Sequence, residues 1–507
     1  MEQIQLTTSH FIALLPILVM TATIVVVMLS IAWKRHQTLT AAISMIGMVL
    51  ALIAIIPAVK QVDAAKQVIE VTRLLSFDKY AYFASLSIIL VTMACTCFSH
   101  IYLEGYKGNK DEFYLLLLLS TLGGMILVST THLMGLFIGL ELLSIPMYGL
   151  IGYSFFQHRS LEASIKYMVL SATGTAFLLF GMALLYAITG QLTFASILEI
   201  SKVVNHSILV DMGIVLMIVG LSFKLSLVPF HLWTPDVYEG APAPASAFLA
   251  TASKLAVFAM LLRLMEFIPI TGNSWLYIAI SILSIASILV GNLLALFQTS
   301  LKRIMGYSSI AHFGYLLIIL LASNESSSAA TKILAAQTAT IYLFTYIATT
   351  MGAFSVVTVL SSPCGDRDAD ALYRYRGLFW RRPLLTISLS VMMLSLAGVP
   401  LTAGFIGKFW LLRTAVDANL WLLTAMVIIG SGIGLYYYLR VMITLYLPEP
   451  TATGNEEKGI HWSHLLATFV LLLIAIIVIF VGVWPSPLIA VANYAGVPDT
   501  LFHYLSY

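Results

Sequence analysis

The sequence predicts an all-α polytopic membrane protein of about 14 transmembrane helices, with two inverted five-helix repeats in which helices 7 and 12 are broken. Three observations predict it. Sixty per cent of the 507 residues are hydrophobic and 10% are charged. A soluble domain carries about 25% charged residues, so a single core cannot hide this much apolar surface. Apolar runs long enough to cross a bilayer, about 20 residues, recur along the chain with short links. Two of these runs, five spans apart, combine a proline break with a lysine.

The first span is expected at 10–32. The residues before it, MEQIQLTTSH, lack the basic stretch of a signal peptide, so a retained span is expected. The others follow at 39–59, 79–103, 112–130, 132–154, 164–188, 208–233, 242–266, 274–298, 303–322, 331–360, 383–413, 419–446 and 465–490. The chain divides into 1–111 (spans 1–3), 112–266 (spans 4–8), 267–446 (spans 9–13) and 447–507, a loop and the last span. Lys and Arg in the links set the orientation. Fourteen, including Lys34, Arg35, Lys107, Arg159, Lys302, Arg303, Arg367 and Lys458, fall on one side. Eight, including Lys60, Lys66, Lys202, Arg263 and Arg413, fall on the other. That asymmetry places both termini outside the cytoplasm.

Several function classes are excluded. A net charge of +3 leaves no nucleic-acid footprint. Cys95, Cys97 and Cys364 have neither iron–sulfur nor disulfide-framework spacing. No GxGxxG opens a helix after a strand, and there is no P-loop. GSGIG (430–434) lies within an apolar span and reads as close helix packing.

Ionisable residues at membrane depth are costly and face a bundle interior or a wet cavity. Glu141 is central in span 5, and Lys224 in span 7 is its expected counter-charge. Lys254 is near the middle of span 8, with Thr251 and Ser253 able to hydrate it. Lys408 follows the break in span 12. The plainer alternative for each lysine is snorkelling from a helix end, and for Glu141 a protonated, hydrogen-bonded carboxyl. Pro229 and Pro400 remove backbone donors, and a freed carbonyl at this depth is tolerated only against protein or water. A desolvated amine gives up its proton more readily than one in water, so a lysine beside such a break can act as a relay point.

LSLVPF (225–230) and LSLAGVP (394–400) repeat one pattern at a shift of five spans. An odd shift inverts the second copy, as in many transporters. His312, flanked by Tyr307, Ser308, Ser309 and Tyr315, lies between the lysine sites and can pass a proton or simply pack through hydrogen bonds. His231 reads as an interface residue.

The run PFHLWTPDVYEGAPAPASAFLATASK (229–254) resembles the antiporter-like membrane subunits of respiratory complex I. GLELLSIPMYGLIGY (139–153), SLEASIKYMVLSATGTAFLLFG (160–181), SLKRIMGYSSIAHFGY (300–315) and LSLAGVPLTAGFIGKFWLL (394–412) extend the resemblance. It implies the two-repeat fold and a proton path through the centre of the membrane. Glu141, Lys224, Lys254 and Lys408 match the family's ionisable residues on helices 5, 7, 8 and 12, and His312 is similar to polar residues bridging the halves. The resemblance also implies no cofactor in this chain, with NADH, FMN, iron–sulfur clusters and quinone in other subunits. It implies other complex I membrane subunits, including further antiporter-like ones, as partners, and the bacterial inner membrane as the location. Two rivals stay open: the D-type subunit of a multi-subunit sodium/proton antiporter, and a scaffold subunit with a vestigial channel.

Overall fold

Uninterrupted apolar sequence can satisfy its backbone inside a bilayer only as helix, and helix is what these residues form. The computed structural model describes residues 7–65, 68–197, 208–268, 274–325, 329–361, 368–448 and 462–495. Cys364, Lys66, Lys202, Arg367 and Lys458 lie outside them. The helices are α1 (Thr8–Trp33), α2 (Gln37–Ala65), α3 (Lys79–Tyr102), α4 (Asp111–Val128), α5 (Leu133–Ile151), α6 (His158–Thr189), α7 (Ile208–Leu225) and α8 (Trp233–Gly240). Then come α9 (Ala243–Met265), α10 (Trp275–Leu296), α11 (Leu301–Glu325), α12 (Ala329–Leu360), α13 (Leu378–Arg381), α14 (Pro383–Ala397), α15 (Ala403–Asp417), α16 (Trp421–Tyr446), α17 (Trp462–Val483) and α18 (Ser486–Ala495).

Among the described residues, 13 helices are long and apolar enough to cross a membrane. The expected span 12 is absent from that set because it is split. α14 and α15 have 15 residues each, about 22 Å apiece at 1.5 Å per residue, so neither crosses alone and together they make the fourteenth crossing. Local signals set the ends. Asp78 caps α3 by accepting from Ala81 N at 2.8 Å, and Ser274 caps α10 through Tyr277 N at 3.2 Å.

The two halves repeat their packing. α4 lies on α5 as α10 lies on α11, and α6 lies on the broken α7 as α12 lies on α14 and α15. α9 and α11 are buried along their whole spans and α12 nearly so. These three form the centre of the molecule; Lys254 and His312 stand on them, Lys224 and Lys408 beside the breaks, and Glu141 on α5.

The sequence reading is corrected in three places. Span 7 ends at Leu225, ahead of Pro229, because the residue before proline is pushed out of the helical region. The last span ends at Val483, and Ser486–Ala495 is a separate helix. A hairpin of β1 (Ile69–Val71) and β2 (Leu75–Phe77) joins α2 to α3, with Ile69 opposite Phe77. Three-residue strands leave too little alternation to be read from sequence.

Candidate functional site

Both breaks leave helix carbonyls without intrahelical partners. At the first, Ser226 takes a left-handed conformation (φ 63°) and α7 stops. At the second, Gly398 (φ 83°) ends α14, and Leu401 (φ 70°) precedes α15. Five ionisable residues stand at or between these ends.

Glu141 accepts a hydrogen bond from Thr175 Oγ1 at 2.8 Å. Lys224 is buried, and its Nζ donates to Ser144 Oγ and Ser171 Oγ, both at 2.7 Å. Tyr148 also donates to Ser171 Oγ, at 3.0 Å. Ser144 stands three residues after Glu141, and Thr175 four after Ser171, so each pair shares a helix face. Lys224 is the counter-charge of Glu141 across a gap: the two interact electrostatically, but among the described residues no ion pair joins them, and a belt of hydroxyls stands between. A hydroxyl both donates and accepts, so the belt solvates the ammonium and the carboxylate without bringing them together.

Lys254 is positioned by a change of helix type. Leu249–Ser253 form a π turn within α9, and Lys254 begins the α-helix after it. Such insertions frequently mark functional sites. Lys254 Nζ donates to Ser309 Oγ at 2.7 Å and to Leu225 O, at the open end of α7, at 3.4 Å. It also lies 4.8 Å from the Phe313 ring centroid, within cation–π range. Thr251 was expected to hydrate Lys254 but spends its proton on Ala247 O, and Ser309 of α11 takes that place. Tyr346 donates to the same Ser309 Oγ at 2.8 Å.

His312 is three residues beyond Ser309. Its Nδ1 is 2.7 Å from Tyr342 Oη, its Nε2 is 3.4 Å from Tyr438 Oη, and its ring centroid is 5.2 Å from that of Tyr346. A cavity of about 10 Å³, lined by His312, Tyr342, Thr345, Thr349, Ser395 and Gly404 among others, runs from the histidine to the second break. That is close to the smallest volume that holds one water. Beyond it, Lys408 Nζ donates to Leu396 O at 3.0 Å and Ala397 O at 2.9 Å.

Polar groups therefore stand between successive members of the set: hydroxyls between Glu141 and Lys224, Leu225 O between Lys224 and Lys254, Ser309 and Tyr346 between Lys254 and His312, and the small cavity between His312 and Lys408. Sequence reasoning missed Ser144, Ser171, Thr175, Tyr148, Tyr342, Tyr346 and Ser395. The available signal was hydroxyl residues at helical spacing on otherwise apolar spans. The order read from the sequence holds in the structure. Lys224 precedes its break, on α7; Lys408 follows its break, on α15, and binds the carbonyl end as Lys254 does.

Two charge clusters bracket this line. On α8, Asp236 accepts from Lys166 at 2.9 Å and Arg303 at 2.7 Å, and Glu239 accepts from Arg303 at 3.0 Å. Burial alone would raise the Asp236 carboxyl, but the hydrogen bonds from Lys166 and Arg303 outweigh it and hold it below its ordinary range. Beneath them, buried Lys302 pairs with Asp368 at 2.5 Å and donates to Ala241 O at 2.7 Å. Tyr102 donates to the same carboxylate at 2.8 Å. At the other end of α9, Arg263 is not a link charge as expected. It is fully buried against Asp78 at 2.7 Å, where it neutralises the α3 cap.

Residues 130–434 match the family model described as NADH:quinone oxidoreductase/Mrp antiporter, TM. NADH-quinone oxidoreductase subunit N of Ectopseudomonas mendocina (strain ymp) is 52% identical over 498 residues, covering 97% of this chain and 98% of that protein. A chain of respiratory complex I from Thermus thermophilus with bound aureothin superposes with a TM-score of 0.78 at 30% identity, covering 94% of this chain and 100% of that one. A chain of the Mrp complex from Dietzia sp. shares the fold alone, with a TM-score of 0.82 at 19% identity over 98% of this chain and 99% of that one.

Proposed function

The chain belongs to the NADH:quinone oxidoreductase/Mrp antiporter transmembrane family, and from that premise we propose that it works as the proton-translocating, antiporter-like subunit N of an NADH-quinone oxidoreductase. The carrying observation is the polar line from Glu141 to Lys408 through the buried centre. In the relay Glu141 supplies the charge that favours a proton on Lys224, and Lys224, Lys254, His312 and Lys408 hold the proton in turn; Ser144, Ser171, Ser309 and the tyrosines pass it between them.

The step order follows from charge. While Glu141 stays near the hydroxyl belt, its carboxylate favours the protonated Lys224. A displacement of Glu141, driven by electron transfer elsewhere in the complex, removes that support. The Lys224 proton then moves to Lys254, whose ammonium is received by Leu225 O and Ser309. Transfer through His312 and a water in the adjoining cavity delivers it to Lys408. This chain carries no redox centre in the proposed scheme; NADH, FMN, iron–sulfur clusters and quinone belong to other subunits. It sits in the bacterial inner membrane beside other membrane subunits, including antiporter-like ones. Lys166, Asp236, Glu239 and Arg303 lie at its cytoplasmic end, and both termini face away from the cytoplasm.

The test is Lys224→Ala in the native membrane, with assembly checked on a native gel. NADH–quinone turnover and NADH-driven proton uptake into inverted vesicles are expected to fall together in the assembled complex. If both hold while NADH-independent sodium/proton exchange is lost, the chain works as an antiporter and the proposal fails.

A further inference from the structure

A second cavity, of about 170 Å³, lies far from the polar line, between α2, α3 and the start of α17. Thr38, Ala42, Met45, Cys97, His100 and Leu466 are among its lining residues, and most of its exposed wall is apolar. An apolar cavity of about 150 Å³ stays dry and takes hydrocarbon, so water does not fill a space of this kind. From Thr38 to Met45 it follows α2 for about 10 Å. That shape suits a chain better than a compact ring.

The end nearest Thr38 adjoins the turn Trp33-Lys34-Arg35-His36, which is exposed throughout. Trp33 is 93% exposed, as an aromatic anchor at headgroup level would be. Lys34 has no ion-pair partner among the described residues. Arg35 meets Glu112 at 2.9 Å, the arginine exposed and the carboxylate half-buried. The other nearby carboxylate, Asp111, is buried and takes the Thr40 hydroxyl at 2.9 Å. Basic residues beside an apolar slot at the membrane surface fit an acidic headgroup with its chain inserted. We propose that this cavity holds an acyl chain of an anionic phospholipid whose phosphate rests on Lys34 and Arg35.

The test uses the intact complex in nanodiscs of phosphatidylcholine with phosphatidylglycerol bearing a diazirine on one acyl chain. After photolysis, labelled peptides are mapped by mass spectrometry. Label is expected to concentrate on residues 38–45 and 96–101. Lys34→Gln and Arg35→Gln are each expected to reduce it about fivefold, and Ala42→Trp, which fills the slot, to remove it. The same diazirine on phosphatidylcholine labels these peptides weakly. NADH–quinone turnover stays unchanged in the lysine and arginine variants, which separates this site from the relay. Even labelling over the exposed faces of α1, α6 and α17 overturns the proposal. So does label indifferent to headgroup and to all three substitutions, or a neighbouring subunit's segment found in the slot. If Ala42→Trp fails to assemble, the two surface variants decide alone.

Discussion

Replacing Gly398 by alanine perturbs Lys408 without touching a titratable group. Gly398 ends α14 at φ 83°, and an added Cβ would stand 2.8 Å from Lys408 Cδ and 3.3 Å from its Nζ. Two costs follow. The left-handed backbone costs an L-residue roughly 1–2 kcal/mol. The lysine must also move off the Leu396 and Ala397 carbonyls, and a hydrogen bond from a charged donor is worth roughly 1.5–3 kcal/mol. If one of the two bonds is lost, a step that needs the ammonium there slows about tenfold or more. Gly190→Ala separates the two costs, because Gly190 has φ 64° and nothing within 4 Å of an added Cβ. It carries the backbone penalty alone. The assay is NADH-driven proton uptake in inverted vesicles, with thermal stability of the solubilised complex measured in parallel. Both variants are expected to lose stability, Gly398→Ala the more, and only Gly398→Ala to lose uptake. Equal uptake in the two would refute a role for Lys408 at the break.

Three other perturbations test separate parts. Ser171→Ala removes one of the two hydroxyls on Lys224 and is expected to lower proton uptake severalfold in an assembled complex, while Ser171→Thr, which keeps a hydroxyl, retains most of it; equal loss in both would point to packing instead. Asp236→Asn tests the cluster on α8. The folded Asp236 carboxyl titrates below its ordinary value, so its stabilisation is complete above about pH 4 and is lost as pH falls through the lowered folded value. Its ion pairs are partly exposed and together contribute no more than about 1 kcal/mol; the melting-temperature gap between variant and wild type should be present at neutral pH and close in acid, and a gap that persists in acid would contradict this. Lys302→Met leaves Asp368 buried without its cation, a loss of roughly 3–5 kcal/mol, so little assembled complex is expected on a native gel, with partial recovery when Asp368→Leu is added.

Sequence and structure diverge where long-range geometry decides. The spans were legible because about 20 apolar residues admit one solution in lipid. The breaks were legible because proline and glycine act locally, and Lys224, Lys254 and Lys408 stood out as charges in apolar runs. What neutralises each charge was not legible. Asp78 lies 185 residues from Arg263 and Asp368 lies 66 from Lys302, and no local pattern links them. The hydroxyl belt escaped for another reason: serine and threonine in a membrane helix commonly bond their own backbone, as Ser144 does to Leu140 O at 2.7 Å, so their presence alone does not announce a site. The π turn before Lys254 has no composition signal at all.

The comparison of the two breaks bears on where energy enters. Lys254 binds Leu225 O, and Lys408 binds Leu396 O and Ala397 O. Each cation lies at the negative end of a half-helix, where the aligned peptide dipoles favour positive charge. These two sites are alike, and neither has an ion-pair partner among the described residues. Glu141 and Lys224 have no such counterpart. Glu141 stands on α5, the second helix of its repeat; on α11, the second helix of the other repeat, stands His312, which carries no fixed negative charge. Among the five residues of the polar line, a change in electric field or in helix position therefore acts on a carboxylate in the first half only. On the proposed reading this makes the first half the place where driving energy is felt, and the lysine-capped breaks the places where the proton waits. The hydroxyl belt supports that division. Because Lys224 is held by Ser144 and Ser171 and not by Glu141 itself, the carboxylate can withdraw without breaking any hydrogen bond to the lysine. The charge that favours the proton can then be removed while the geometry that passes it on stays in place.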